Sequence, residues 1–357
     1  MNAADVNPVN PVNDVIVIGA GVAGLSCARG LVEAGRRVLV LERARGVGGR
    51  CATRRVEGQP VDHGPLFLHG DDPAFLAAVG SVPGALAGWP RHVDGVGAPC
   101  QPDALQAHQR RFTMAEGLSA FPKHLAEGVP VQLSTPVVGV EAAAHTMLVR
   151  TADGGVFEAK DVVIALPVEQ SLQLLTELSG TIVGTAVDEK QLAGACALLR
   201  LFRSVPCLTL VAGYDDVGPP LSFDVLYPDD TDCLQLIAND TSKRGDSGGA
   251  RVLVLQARPR WSRQRLELPE ATWAAEMLAE AAARLGAWAG APRFTLAHRW
   301  RYARVEPGTE LQQPLRLTLT GGQRVGVAGE VFAPGGGVQA AWLSGTRLAR
   351  RLLQEIS

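Results

Sequence analysis

Three patterns of apolar and polar positions divide this chain. Asp14-Val-Ile-Val-Ile-Gly19 is a continuous β-branched run closed by glycine, as expected of a strand buried on both faces in a parallel sheet. From Gly21 to Ala34 the period becomes helical, with Val22, Leu25, Ala28 and Leu31 on one stripe and Gly35 where a C-terminal cap belongs. Val38-Leu-Val-Leu-Glu42 then repeats the buried-strand pattern. A β-α-β unit of about 30 residues requires a right-handed crossover and hence a parallel sheet.

Farther along, Gly/Pro-rich loops run from Ser81 to Pro102, and the segments Leu198–Leu201, Leu208–Val211, Leu234–Ala238 and Val252–Ala257 read as antiparallel strands. A helix is predicted from Pro269 to Trp288, with Trp273, Met277, Ala281 and Leu285 on its core face. Arg324-Val-Gly-Val-Ala-Gly-Glu330 reads as a short buried strand, followed by a glycine turn and a helix from Val338 to Ile356 that returns to the first sheet. The expected layout is a leader without structure at 1–13, a discontinuous nucleotide domain at 14–80, 115–168 and 298–357, and a substrate domain at 81–114 and 169–297.

The 357 residues suffice for about two domains. A formal charge of -2 provides no electrostatic excess for a polyphosphate, which argues against a nucleic-acid partner. Only four of the basic residues are lysine: Lys123 in a helix, Lys160 just before a strand, Lys190 in a polar loop and Lys243 in a turn. Six cysteines, at 27, 51, 100, 196, 207 and 233, form no C-x-x-C pair and read as reduced thiols of a cytoplasmic protein. No apolar run reaches membrane-spanning length, so no membrane partner is expected. His63 and His69, six apart in a loop without an acidic cluster, do not suggest a metal.

Gly19-x-Gly21-x-x-Gly24 joins the first strand to its helix, where glycines permit a tight turn and the close approach of a pyrophosphate. Glu42, at the tip of the second strand, is placed to accept from a ribose diol. Arg45-Gly-Val-Gly-Gly-Arg50 adds a second glycine loop: Gly48 and Gly49 allow backbone approach to a cofactor, and Arg50 can fork onto a pyrophosphate. A simple NAD dehydrogenase does not need that loop, so the combination points to FAD. No G-x-S-x-G elbow supports hydrolysis, and no redox cysteine pair supports a disulfide reductase.

In this order the motifs resemble the flavin amine oxidase superfamily, and further segments resemble its renalase-like branch. Val61-Asp-His-Gly64 with Asp72-Pro-Ala-Phe75 is similar to DHGAQYF…DP-F, Asn239-Asp-Thr-Ser-Lys243 to NSSKP, and His298-Arg-Trp-Arg-Tyr-Ala303 to HRWRYA. Glu116 to Leu125, Ala328-Gly-Glu330 and Gly336 to Gly345 match the remaining segments, so the resemblance runs from Val15 to Leu353. It implies a glutathione-reductase-type, Rossmann-like FAD-binding α/β domain and a second domain of mixed sheet plus helices. The implied cofactor contacts of noncovalent FAD are Gly19, Gly21, Gly24, Glu42, Arg43, Gly49, Arg50, Val138, Gly329, Glu330, Gly337 and Val338.

The resemblance implies oxidation of isomeric dihydronicotinamides, with O2 as acceptor giving hydrogen peroxide and no side chain assigned as catalytic. Pro65-Leu-Phe-Leu68 replaces the family's amide and phenol with apolar groups, so a less polar, small-molecule donor is equally expected, with Leu66, His298, Trp300 and Tyr302 lining its pocket. The rivals are an amine or polyamine oxidase, for which no lysine is an evident flavin-water ligand, and a protein that holds flavin without turnover.

Overall fold

The computed structural model describes residues 12–96, 103–180, 189–215, 218–245, 251–306, 308 and 310–354. Most of the predicted leader, Cys100 and the end of the last predicted helix lie outside them. The chain forms two compact units, 1–49, 125–203 and 307–357 in the first and 50–124 and 204–306 in the second.

Strands and helices are numbered along the chain. The first unit holds an eight-stranded sheet of β1 (Asn13–Ile18), β2 (Val38–Leu41), β9 (Val131–Gln132), β10 (Val137–Ala142), β11 (Met147–Thr151), β12 (Val156–Ile164), β18 (Leu315–Thr318) and β19 (Arg324–Val327). Its centre is parallel: β1 lies between β2 and β12, β9 extends the β2 side, and β19 pairs with the second half of β12. Val15 to Ile18 are almost fully buried, as a β-branched run covered on both faces should be. α1 (Val22–Glu33) and α8 (Gly337–Leu353) pack on one another, and α4 (Val168–Gly180) and α5 (Glu189–Leu199) complete the unit.

Across this sheet, Asp161 of β12 and Arg324 of β19 form a buried ion pair. Asp161 Oδ1 accepts from Arg324 N at 3.0 Å and Nε at 3.1 Å, Oδ2 pairs with Nη2, and Nη1 donates to Leu352 O at the end of α8. One side chain thus fixes a strand pair and the helix that follows it.

The second unit is built on a six-stranded sheet in the order β17 (Phe294–Val305), β13 (Ser204–Tyr214), β16 (Arg251–Ala257), β15 (Leu234–Asn239), β14 (Val225–Leu226), β7 (Val93–Asp94). α6 (Pro259–Arg265) and α7 (Glu270–Leu285) pair with one core cluster, where Trp273, Met277 and Ala281 meet Leu208, Leu210, Tyr214, Leu253 and Leu255. A second cluster joins Val211, Val225 and Val254 to Val61, Leu66 and Trp89. The hairpin β3 (Thr53–Val56) and β4 (Gln59–Asp62), the small sheet of β5 (Leu68–Gly70), β6 (Ala85–Ala87) and β8 (Arg110–Met114), and the helices α2 (Pro73–Gly80) and α3 (Ala120–Leu125) account for the rest.

Several expectations need correction. Leu198 and Leu199 end α5 and Leu201 lies in the turn beyond, because the apolar residues from Leu192 onward serve a helix rather than a strand. Lys160 lies within β12 and Lys190 within α5. The units also divide differently from the predicted domains. Residues 50–80 go with the second unit, where β5 pairs with β8, whereas 169–203 go with the first and 298–306 continue β17 in the second.

Candidate flavin site and the His63–Trp300 face

In the first unit, β1 delivers the chain to Gly19, which turns with φ +102° into α1. Gly24 must lack a side chain, since a Cβ there would stand 2.0 Å from Gly19 O. The two glycine loops are joined: Gly48 N donates to Ala20 O at 2.8 Å, and Gly21 and Gly48 form an isolated parallel bridge. Space is open beyond Gly21, where a Cβ would meet nothing within 4 Å. The first-turn N–H groups of α1 have no acceptor within the helix, which suits an anion.

Glu42 is buried at the end of β2. Its Oε2 accepts from Ala20 N at 2.7 Å and its Oε1 from Ala44 N at 2.8 Å. A carboxylate offers about four acceptor positions, so a ribose diol can still be held while the acid braces the loop. Arg43 is exposed beside it and Gly49 follows in the left-handed region at φ +53°.

At the other edge of this unit, Gly329 follows β19, and Glu330 begins a short 3-10 turn rather than ending the strand. Glu330 is 7% exposed. Gly335, Gly336 and Gly337 all have positive φ and lead into α8, with Val338 half-buried in its first turn. Val138 is largely exposed on β10. These features fit a dinucleotide with open backbone at its phosphates and a buried acid at each end.

The remaining candidates lie in the second unit. Arg50 begins it, and its Nη1 donates to Ala303 O at 3.2 Å. Leu66, expected to line a pocket, is instead a core residue, 4% exposed among Val61, Trp89, Val225 and Val254. His298, Trp300 and Tyr302 are half-buried on β17. Trp300 and His298 converge with His63: ring centroids are 4.1 Å apart for His298–Trp300, 4.9 Å for His63–His298 and 5.4 Å for the stacked His63–Trp300 pair. Trp300 Nε1 donates to His63 O at 2.7 Å.

Burial, reinforced by His298 and the Arg54 guanidinium, pushes the His63 imidazole down to about 4. Burial and Arg54 lower His298 as well. Both rings are therefore neutral near pH 7. Between the ordinary histidine value and about 4, the unfolded chain binds a proton at His63 that the folded chain does not, so stability falls as pH drops through this window. From pH 6.5 to 5 the loss from this residue is about 2 kcal/mol. Urea midpoints should fall between those pH values, and fall less for His63→Phe; equal slopes would mean His63 titrates normally.

Behind this face lies a charged cluster that sequence reasoning missed. Asp62, fully buried, accepts at Oδ1 from Thr53 Oγ1 at 2.6 Å and Leu118 N at 2.8 Å, and at Oδ2 from Lys243 Nζ and Arg244 Nη2, each at 3.1 Å. Asp240 completes a quartet, with Oδ1 2.6 Å from Lys243 Nζ and Oδ2 2.9 Å from Arg244 Nη1. Burial alone would raise the Asp62 carboxyl, but the Lys243 ammonium, Thr53 and Leu118 hold it below the usual carboxylate range. The only local signal is the spacing Asp240, Lys243, Arg244, which puts an acid three and four residues before two bases.

Residues 72–353 match the family model described as flavin containing amine oxidoreductase, and residues 17–80 match an NAD(P)-binding Rossmann-like domain. Putrescine oxidase of Kocuria rosea is 40% identical over 93 residues, 26% of this chain and 19% of that protein. (S)-6-hydroxynicotine oxidase of Paenarthrobacter nicotinovorans is 43% identical over 139 residues, 38% of this chain and 28% of that protein. The aligned stretches thus span less than a third of these relatives. Cyclohexylamine oxidase from Brevibacterium oxydans is similar in fold over 97% of this chain and 100% of its own, with a TM-score of 0.66 at 15% identity.

Proposed function

The chain belongs to the flavin-containing amine oxidoreductase family, and from that premise we propose that it is an FAD-dependent oxidoreductase acting on a small, uncharged hydride donor. When bound, FAD would supply the hydride acceptor, with O2 as the terminal electron acceptor and hydrogen peroxide as the by-product. The Gly19–Gly24 turn and the start of α1 would hold the pyrophosphate, with Glu42 on the ribose, Glu330 on the ribityl chain and the glycine turn before α8 at the pyrimidine edge.

The observation that carries the donor assignment is the face of His63, His298 and Trp300. It is aromatic, its two imidazoles are neutral near pH 7 and the charge beside them is the Arg54 guanidinium, 3.5 Å from His298 Nδ1, while the adjoining buried acids Asp62 and Asp240 are committed to Lys243 and Arg244. A planar, electron-rich donor such as a dihydronicotinamide isomer, the renalase-like substrate class, fits such a face by stacking. It needs no protein base. A protonated amine would find no uncommitted carboxylate among these residues.

Oxidation of an amine in its neutral form is the second reading, supported by the names of the relatives. Lys243 does not offer that chemistry a free ammonium, because it is sealed between two carboxylates with Trp89 over it at 4.9 Å. A cytoplasmic setting, with an NAD(P)H-related donor, belongs to the same proposal.

Anaerobic mixing of the FAD-loaded protein with dihydronicotinamide isomers should bleach the flavin faster than mixing with putrescine or cyclohexylamine. Faster bleaching by the amines would reverse the assignment. Bleaching by neither, with no peroxide formed in air, would leave a flavin-holding protein without turnover.

A further inference from the structure

The Asn239–Lys243 segment has no part in the proposed chemistry, yet it is tied into the second unit more tightly than a surface turn requires. Besides the ion quartet, Ser242 Oγ accepts from Trp89 Nε1 at 2.9 Å and donates to Asp224 Oδ1 at 2.6 Å. Lys243 and Asp62 side chains are wholly buried, Asp240 nearly so, and Arg244 is partly exposed. Packing alone does not call for this. Buried ion pairs are often matched or bettered in stability by apolar residues of similar size, because the cost of desolvating the charges offsets their attraction. What a quartet supplies that apolar groups do not is direction.

That direction is spent on one short stretch of backbone. Asp62 is gripped from Thr53, Leu118, Lys243 and Arg244. His63 O, one residue on, accepts from Trp300 Nε1, and Gly64 O accepts from Gln256 Nε2, both at 2.7 Å. Gly64 lies so close to Arg50 that a Cβ would stand 2.0 Å from Arg50 O. The tilt of the Trp300 ring therefore depends on where the His63 carbonyl stands.

We propose that Lys243 is a positioning residue: acting through Asp62, it fixes the His63 carbonyl and with it the Trp300 ring that the donor stacks on. The inference rests on the reading of this face as the donor's seat. Its test has one arm that does not depend on that reading.

The near-ultraviolet circular dichroism band of Trp300, obtained by subtracting the spectrum of Trp300→Phe, reports the ring's placement in the FAD-loaded protein. In Lys243→Met this band should collapse, and flavin reduction at saturating donor should slow about a hundredfold, the scale of a misplacement of about 1 Å. The double variant Asp62→Asn/Lys243→Met removes one buried charge of each sign. It should regain the wild-type thermal midpoint but neither the band nor the rate, and it carries the same comparison if the single variant does not fold. A band that stays intact in Lys243→Met, or returns with the midpoint in the double variant, would make the quartet a stability element and overturn the proposal. A wild-type protein that no donor reduces would overturn the functional reading instead, and the band would still decide the role of Lys243.

Discussion

Gly24→Ala should yield a chain that purifies without FAD. The added methyl would stand 2.0 Å from Gly19 O and 3.1 Å from the Ala165 side chain. The first neighbour is backbone and cannot swing aside, so the turn between β1 and α1 must open. Overpacking of this kind costs about 1–3 kcal/mol and at times more, and here the distortion falls on the backbone that faces the pyrophosphate. FAD content after purification and flavin fluorescence titration measure the effect, which should be at least about a hundredfold in affinity, equivalent to roughly 2.7 kcal/mol. A Gly24→Ala protein carrying one FAD per chain would mean that the dinucleotide lies elsewhere.

Arg324→Met should produce a large loss of stability in the first unit without touching the flavin site. It leaves Asp161, 2% exposed, with a buried charge and only the Arg324 backbone N–H to answer it, and it frees Leu352 O at the end of α8. Removing one partner of a buried pair costs about 3–5 kcal/mol, which for a unit of this size lowers the thermal midpoint by roughly 8–13 °C. Asp161→Ala/Arg324→Met should lose much less, since no lone charge remains. Equal losses in the single and double variants would show that the pair is valued for packing alone.

The parts of this molecule that could be read from the sequence are those whose signal is local. β1, α1 and β2 announce themselves because each pattern completes within a dozen residues and glycines mark the joints. The stripe of Trp273, Met277 and Ala281 on α7 and the alternation of His298 and Trp300 on β17 are equally self-contained. What escaped was long-range. Leu198 to Leu201 look like a strand only when the helical spacing leading into them is ignored. Leu66 looked like a pocket residue by comparison with a polar family segment, yet its apolar side chain is what the second core cluster needs. Lys243 looked idle because its partner Asp62 is 181 positions away, and no period links the two.

The interleaving of the two units also governs how the molecule is made. The chain passes from one to the other at residues 49–50, 124–125, 203–204 and 306–307. α1 leaves the ribosome early, but the helix it packs on, α8, follows roughly 300 residues later, which at cellular rates of about 5–20 residues per second is roughly 15–60 s. Throughout that interval the apolar face of α1 lacks its cover, and until Val156–Ile164 emerges β1 lacks one of its two neighbours. Completion of the flavin-binding unit therefore waits on synthesis of α8, and until then the uncovered face of α1 is exposed to aggregation.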